Sequence, residues 1–268
     1  MNSSSIPPHR MVDADVVPPA TPVGPTRTGW RGRITKRHPN DTQARDVLLV
    51  ALAFAWGSID AVSFGGLGKV YSAAQTGNLI TLGLGAGGVA GAPVLRAGVS
   101  VAAFAVGVLI ATRIVGHPPA GVLWPHRLEA VLVVIGGILI GFLVFWIVVN
   151  GHPSSTSADL LIAISALGAG METGAIFRLG LRAVFTTALT ATVTTFMSDV
   201  DDDLTQQRND AVDQVRLLLV IVGAFAGVCA GAALLVDVRQ IAPVLAPAVT
   251  LAVAATAKVA FGPSRPAA

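Results

Sequence analysis

Apolar residues fall into eight stretches, at about residues 46–67, 71–91, 94–115, 128–149, 159–178, 183–198, 215–236 and 241–261. A helix needs about 20 apolar residues to cross a bilayer. Residues 130–149 and 217–236 meet that outright, each with 20 uncharged positions. The run 97–112 is shorter, but Arg96 and Arg113 at its ends can snorkel. The last stretch holds Pro243 and Pro247 near its start, which predicts an irregular or kinked beginning.

Two stretches, 71–91 and 183–198, are rich in Gly, Thr and other small residues and do not read as lipid-facing helices. They predict short broken or re-entrant segments, which membrane depth tolerates only under a cover of protein or water. Six spanning helices then remain.

The chain also repeats itself. Gly57 and Gly170 are 113 positions apart, as are Phe64 and Phe177, while Val70–Val184 and Thr76–Thr190 are 114 apart. The offset divides the membrane region 46–262 into halves 46–150 and 158–262. Residues 1–45 form a Pro- and Arg-rich leader expected to be disordered, and 263–268 a short tail. The first apolar run begins only at residue 47, unlike a cleavable signal peptide.

Charge selects between topologies. With eight spans, loops on the side of the N-terminus would hold only Arg96, Arg208 and Arg216. With six, that side gains Arg113, Arg127, Arg178 and Arg182 and loses Arg96, leaving Lys69, Arg96 and Arg239 opposite. The six-span arrangement obeys the positive-inside rule. It places the N-terminus in the cytoplasm and gives each half three spans, so the halves run in opposite directions (3+3). Inverted repeats of this kind recur in transporters.

Each half carries an acid inside its first apolar run: Asp60 and Glu172. A carboxylate near the bilayer centre costs at least about 2.5–3.5 kcal/mol on insertion scales, so it faces a protein interior or a wet cavity. The acids are one place out of register, since Asp60 aligns with Thr173. Asp60 reads either as a proton- or cation-linked group or as a carboxylate that caps a broken helix or pairs with Lys69. Glu172 has the same functional reading, with Arg178 or Arg182 as structural partners. Gln75, Thr76, Gly77 and Asn78 offer amides, a hydroxyl and free backbone, either to an ion or polar solute or as caps of a broken segment. Gly223, Gly227 and Gly231, and likewise Gly137 and Gly141, recur every fourth residue and predict close helix packing, within the chain or in a homo-oligomer.

The composition agrees with a membrane protein: 53 % hydrophobic, 12 % charged, and a mean hydropathy of +0.70. A net charge of +3 raises the question of nucleic acid, but the basic residues are dispersed as topology signals. The single Cys229 excludes a disulfide within the chain. Asp199-Val-Asp-Asp-Asp203 has Leu204 where a calcium loop needs glycine, and the histidines lack metal-ligand spacing. There is no nucleotide-binding loop, nucleophile elbow or zinc-protease motif, so neither an enzyme, a cofactor nor a metal is expected.

Gly57-Ser-Ile-Asp60-Ala61, Phe64, Val70-Tyr71 and Thr76-Gly77-Asn78 together resemble the YoaK family of bacterial inner-membrane proteins (domain of unknown function 1275). The second half of that family typically shows Gly-Met-Gln-Asn-Ala, then Thr-Thr and Thr-Gly. Here Gly170-Met171 match, Glu172 and Thr173 replace Gln and Asn, Thr186-Thr187 and Thr190 match, and Ala191 replaces the last glycine. The resemblance covers about 46–262. It implies a multi-pass inner-membrane protein of permease type and names no substrate.

The expectation is an all-α integral membrane protein of six spans and two re-entrant segments. It would act in the lipid bilayer as a secondary transporter or permease for a small solute or ion. Asp60, Gln75–Asn78, Glu172, Thr173, Thr186, Thr187 and Thr190 would form the site. The competing expectation is a membrane scaffold or assembly factor whose buried acids are structural.

Overall fold

Each apolar stretch of membrane length becomes one helix, because lipid offers the backbone no partner but itself. The structure, a computed structural model, describes residues 39–118, 122–179, 193–194, 197 and 211–262. Helices among the described residues include α1 (Pro39–Gly66), α2 (Gln75–Ala86), α3 (Val94–Val115), α4 (His126–Val148), α5 (Ser155–Phe177), α6 (Ala211–Asp237) and α7 (Leu245–Phe261). Pro243 lies in a 3₁₀ turn, Arg239–Val244, that leads into α7, which is the irregular start the prolines predict. Helix α1 begins at Pro39, so it takes in the last residues of the stretch assigned to the leader. The rest of the leader and most of 183–198 lie outside the described residues.

Among the described residues, six helical stretches are long and apolar enough to cross a membrane. Helix α2 is not one of them: 12 residues reach about 18 Å. Its path explains why. Helix α1 ends in a reversal through Gly68 (φ 87°) and Lys69 (φ 67°), closed by Lys69 N–H donating to Phe64 O at 3.1 Å. Glycine suits the left-handed conformation at 68, and a Cβ there would displace the Arg96 guanidinium. The chain turns inward over 70–74 and returns as α2, antiparallel to α3. Asn78 touches Ser100, and Gly85 lies against Val94. Arg96 Nη1 donates to Leu67 O at 2.7 Å, so α3 starts at the end where α1 exits. The first re-entrant segment is therefore present as a descending loop and an ascending half-helix.

Helices α1 and α5 are central. Of their apolar windows 61 % and 67 % are buried, against 22–39 % for the other four. Trp56, Leu52 and Ile59 of α1, Leu132, Ile135, Phe142 and Trp146 of α4, and Leu161 and Ile162 of α5 make up much of the core. Val133, Val134 and Val144 of α4 and Val222 and Phe225 of α6 face outward, as lipid allows.

Glycines set the two closest helix pairs. On α6, Gly223, Gly227 and Gly231 lie against the backbone of Val50, Phe54 and Ser58 of α1, while Gly57 of α1 lies against Ala224 O. A Cβ at Gly227 would overlap Phe54 O. The pair α3–α5 is built alike: Gly107 lies against Leu167 O, Gly170 against Phe104 O and Gly174 against Val108 O. Both pairs are parallel. The expected packing through Gly223, Gly227 and Gly231 is thus internal to the chain.

Gly137 and Gly141 do not pack within the chain. A Cβ at either would meet nothing within 4 Å, and both are exposed on the outer side of α4. Gly136 packs instead, against Leu251 of α7. A four-residue spacing marks one stripe of a helix, and on α4 the neighbour lies on the adjacent stripe.

These contacts predict a sharp contrast in stability. Gly227→Ala and Gly107→Ala should each cost about 1–3 kcal/mol, because a carbonyl of the facing backbone must shift. Gly137→Ala and Gly141→Ala should be neutral or gain up to about 1 kcal/mol from helix propensity. Thermal unfolding in detergent reads both sets. Equal losses at all four positions would contradict this packing.

Candidate functional site

The start of α2 needs acceptors, because its first N–H groups have no intrahelical partner. Its N-cap residue is Ala74, which has no side-chain cap to give. Asp60 supplies the cap from α1. Its Oδ1 accepts from Ser72 N–H and Ala73 N–H, both at 2.8 Å, and its Oδ2 accepts from Ala74 N–H at 3.1 Å. A carboxylate facing three amides at a helix N-terminus combines charge-assisted hydrogen bonds with the favourable end of the helix dipole. This is the capping role anticipated as the structural alternative. The other structural alternative, pairing with Lys69, is not what forms: Lys69 Nζ lies 4.7 Å above the Phe64 ring, which stacks on Tyr71.

Serines continue the site across to α5. Ser72 Oγ donates to Ser165 Oγ at 2.7 Å, and Ser165 Oγ to Leu161 O at 3.0 Å. With the Ser72 proton so used, the 2.6 Å contact between Ser63 and Ser72 has Ser63 as donor. Ser63, Ser72 and Ser165 are fully buried. On the α3 side, Asn78 Oδ1 accepts from Tyr71 N–H at 3.0 Å, and its Nδ2 reaches Tyr71 O, Gln75 Oε1 and Ser100 Oγ at 2.8–2.9 Å. Gln75 Nε2 donates to Ser72 O at 2.7 Å. Non-helical backbone at membrane depth is thereby satisfied from three helices.

The expected site residues divide accordingly. Asp60, Gln75 and Asn78 come together; Gly77 lies under the Tyr71 ring; Thr76 is exposed and does not join the cluster. Glu172 is fully buried on α5, near the opposite end of the bundle from Asp60 because α1 and α5 run antiparallel. Thr173 Oγ1 donates to Ala169 O, 2.9 Å away within its own helix. Thr186, Thr187 and Thr190 lie outside the described residues. Ser63, Ser72, Ser100 and Ser165 escaped the sequence reading, since isolated serines in apolar runs carry no spacing signal. Among the described residues, no three His, Cys, Asp or Glu side chains gather as a metal site would require.

Ion pairs mark the two ends. Where α1 exits, Arg96 of α3 pairs with Asp159 of α5 at 2.6 Å. Where α1 starts, Arg216 of α6 lies 4.0 Å from Asp46 of α1, which also pairs with Arg45 at 2.8 Å.

Asp60→Ala should release the α2 start. Bonds from amides to a charged group contribute about 1.5–3 kcal/mol each, so amide exchange over 70–78 should rise by more than about tenfold. Asp60→Asn keeps one acceptor oxygen and should fall between. Hydrogen–deuterium exchange of that peptide checks this, and unchanged protection in Asp60→Ala would remove the capping role.

The chain is 28 % identical over 187 residues to the UPF0700 transmembrane protein YoaK of Bacillus subtilis (strain 168), covering 67 % of this chain and 81 % of that one. No solved structure matches it. The family model described as "Protein of unknown function (DUF1275)" matches residues 48–257, and the chain, a multi-pass transmembrane protein, belongs to that family.

Proposed function

We propose that the protein is a secondary transporter or permease for a small polar solute, built from two halves of opposite orientation in the bacterial inner membrane. The observation that carries this reading is a reciprocity of contacts. A shift of 113 residues takes Asp46, Phe54 and Gly57 of α1 to Asp159, Leu167 and Gly170 of α5. A shift of 120 takes Arg96, Phe104 and Gly107 of α3 to Arg216, Ala224 and Gly227 of α6. Under these two shifts the contact Gly227–Phe54 becomes Gly107–Leu167, Gly57–Ala224 becomes Gly170–Phe104, and Asp46–Arg216 becomes Asp159–Arg96. The first helix of each half packs on the second helix of the other, and the two copies run in opposite directions.

Such a pair of halves supports alternating access by rocking. Each ion pair ties a first helix to the other half's second helix, one at each end. The Arg96–Asp159 pair is partly exposed, and exposed pairs contribute only about 0.2–1 kcal/mol, little enough to break in a working cycle; Arg216 is buried but stands 4.0 Å from Asp46, at the outer limit of an ion pair. The serines and amides around α2 would meet the solute, and the arrangement leaves Glu172 to couple a proton or cation. The end where α1 starts carries Arg45, Arg113, Arg127, Arg178 and Arg216, which supports a cytoplasmic assignment for it. The scaffold reading is favoured by one observation, the full engagement of Asp60 by backbone amides.

Ser165→Cys in a Cys229→Ala background separates the two. In a transporter the mid-membrane thiol should react with a small membrane-impermeant reagent. Arg96→Gln should raise the rate from the α1-exit side by about fivefold or more, and Arg216→Gln from the other side. No reaction from either side in any background would return the scaffold.

A further inference from the structure

A cavity of about 730 Å³ opens at the α1-start end, between the end of α3, the start of α4 and the end of α7. His117, Trp124, His126, Arg127 and Phe261 are among its walls, which otherwise consist of aliphatic and proline side chains. Among the described residues no acid is part of this lining, and Glu129 of the first turn of α4 is not in it.

Three features of this region can donate hydrogen bonds. Helix α4 is 23 residues long and starts at His126 with Pro125 at its N-cap and no side-chain cap, so its positive end is open there. Trp124 is 5 % exposed, and its buried Nε1–H has no acceptor among the described residues. A buried indole N–H normally finds one, since leaving it unmade costs about 1–3 kcal/mol. Third, Arg178 Nη1 lies 3.0 Å from His117 Nε2. A guanidinium can only donate, so His117 Nε2 accepts and Nδ1 carries the ring's proton. With Arg127 exposed at the rim, the wall offers donors and positive charge. Trp124 stacks on Phe261, centroids 5.7 Å apart, and gives the cavity an apolar flank of the kind that settles at the membrane–water boundary.

We propose that this cavity binds the phosphodiester headgroup of an anionic phospholipid, with Arg127, His126 and the α4 N-terminus holding the phosphate and the Trp124–Phe261 stack lying along the glycerol and upper acyl chain. The mixed lining selects this ligand over a soluble anion: the donors fit phosphate oxygens, and the apolar wall fits the chain attached to them. The site is independent of transport and concerns which lipid the protein retains.

The test uses the full chain in detergent, titrated with phosphatidylglycerol or phosphatidylcholine and read by native mass spectrometry and thermal unfolding. Phosphatidylglycerol should be retained and should raise the unfolding temperature; phosphatidylcholine should do neither. Arg127→Gln with His126→Gln should weaken phosphatidylglycerol retention by about tenfold. These side chains are exposed, so the fold should survive. Trp124→Phe keeps the stack and removes the N–H, and should weaken retention less. Equal retention of both lipids, or retention unchanged in the double variant, overturns the proposal. Stabilisation by inorganic phosphate or glycerol 3-phosphate with none from phosphatidylglycerol overturns it in favour of a soluble anion.

Discussion

The rest of the fold depends on backbone meeting backbone across α1–α6 and α3–α5. Lipid tails are as apolar as leucine, so burying an apolar face gains little from leaving lipid. Close approach is what remains, and it requires glycine. At Gly57, Gly107, Gly170 and Gly227 the space for a Cβ is taken by a carbonyl of the facing helix. Those four contacts set which helices are neighbours and their vertical register. The register in turn brings Arg96 to Asp159 at one end and Arg216 to Asp46 at the other.

A second constraint acts where the backbone stops being helical. Between α1 and α2 the chain turns inside the membrane, where an unsatisfied amide costs several kcal/mol. One carboxylate takes three such amides, and Asn78 holds both the N–H and the C=O of Tyr71. Asp60 is thus tolerated in an apolar helix because the donors it meets have no better partner. Its charge and the open end of α2 each offset the cost of burying the other.

The two ends of the bundle differ in kind. At the α1-exit end, Arg96 and Arg239 turn inward onto backbone oxygens of Leu67 and Gly151, tightening the turns there. At the α1-start end, Arg127 and the start of α4 line a cavity walled by Trp124 and Phe261. The first arrangement consumes its cations in the protein, whereas the second leaves donors available to something outside it.

Much of this was legible in the residues. Spans follow from length and hydropathy, because lipid admits little besides helices. The re-entrant α2 follows from small residues together with the placement of arginines. Asp60, Gln75 and Asn78 stand out because polar groups at membrane depth must be engaged. The 113-residue offset, extended to Asp46 and Asp159, and a second offset of 120 joining Arg96 to Arg216, were also present in the chain, but nothing in one dimension says that those acids and arginines meet. The tertiary structure decided the partners. It turned Gly227 onto Phe54 and left Gly137 and Gly141 facing outward, because a spacing of four defines a stripe without saying what lies opposite. It also made Asp60 the cap of α2 and drew Ser63, Ser72 and Ser165 into one hydrogen-bonded line. A sequence shows that a buried polar group must have a partner; only the packed helices determine which one.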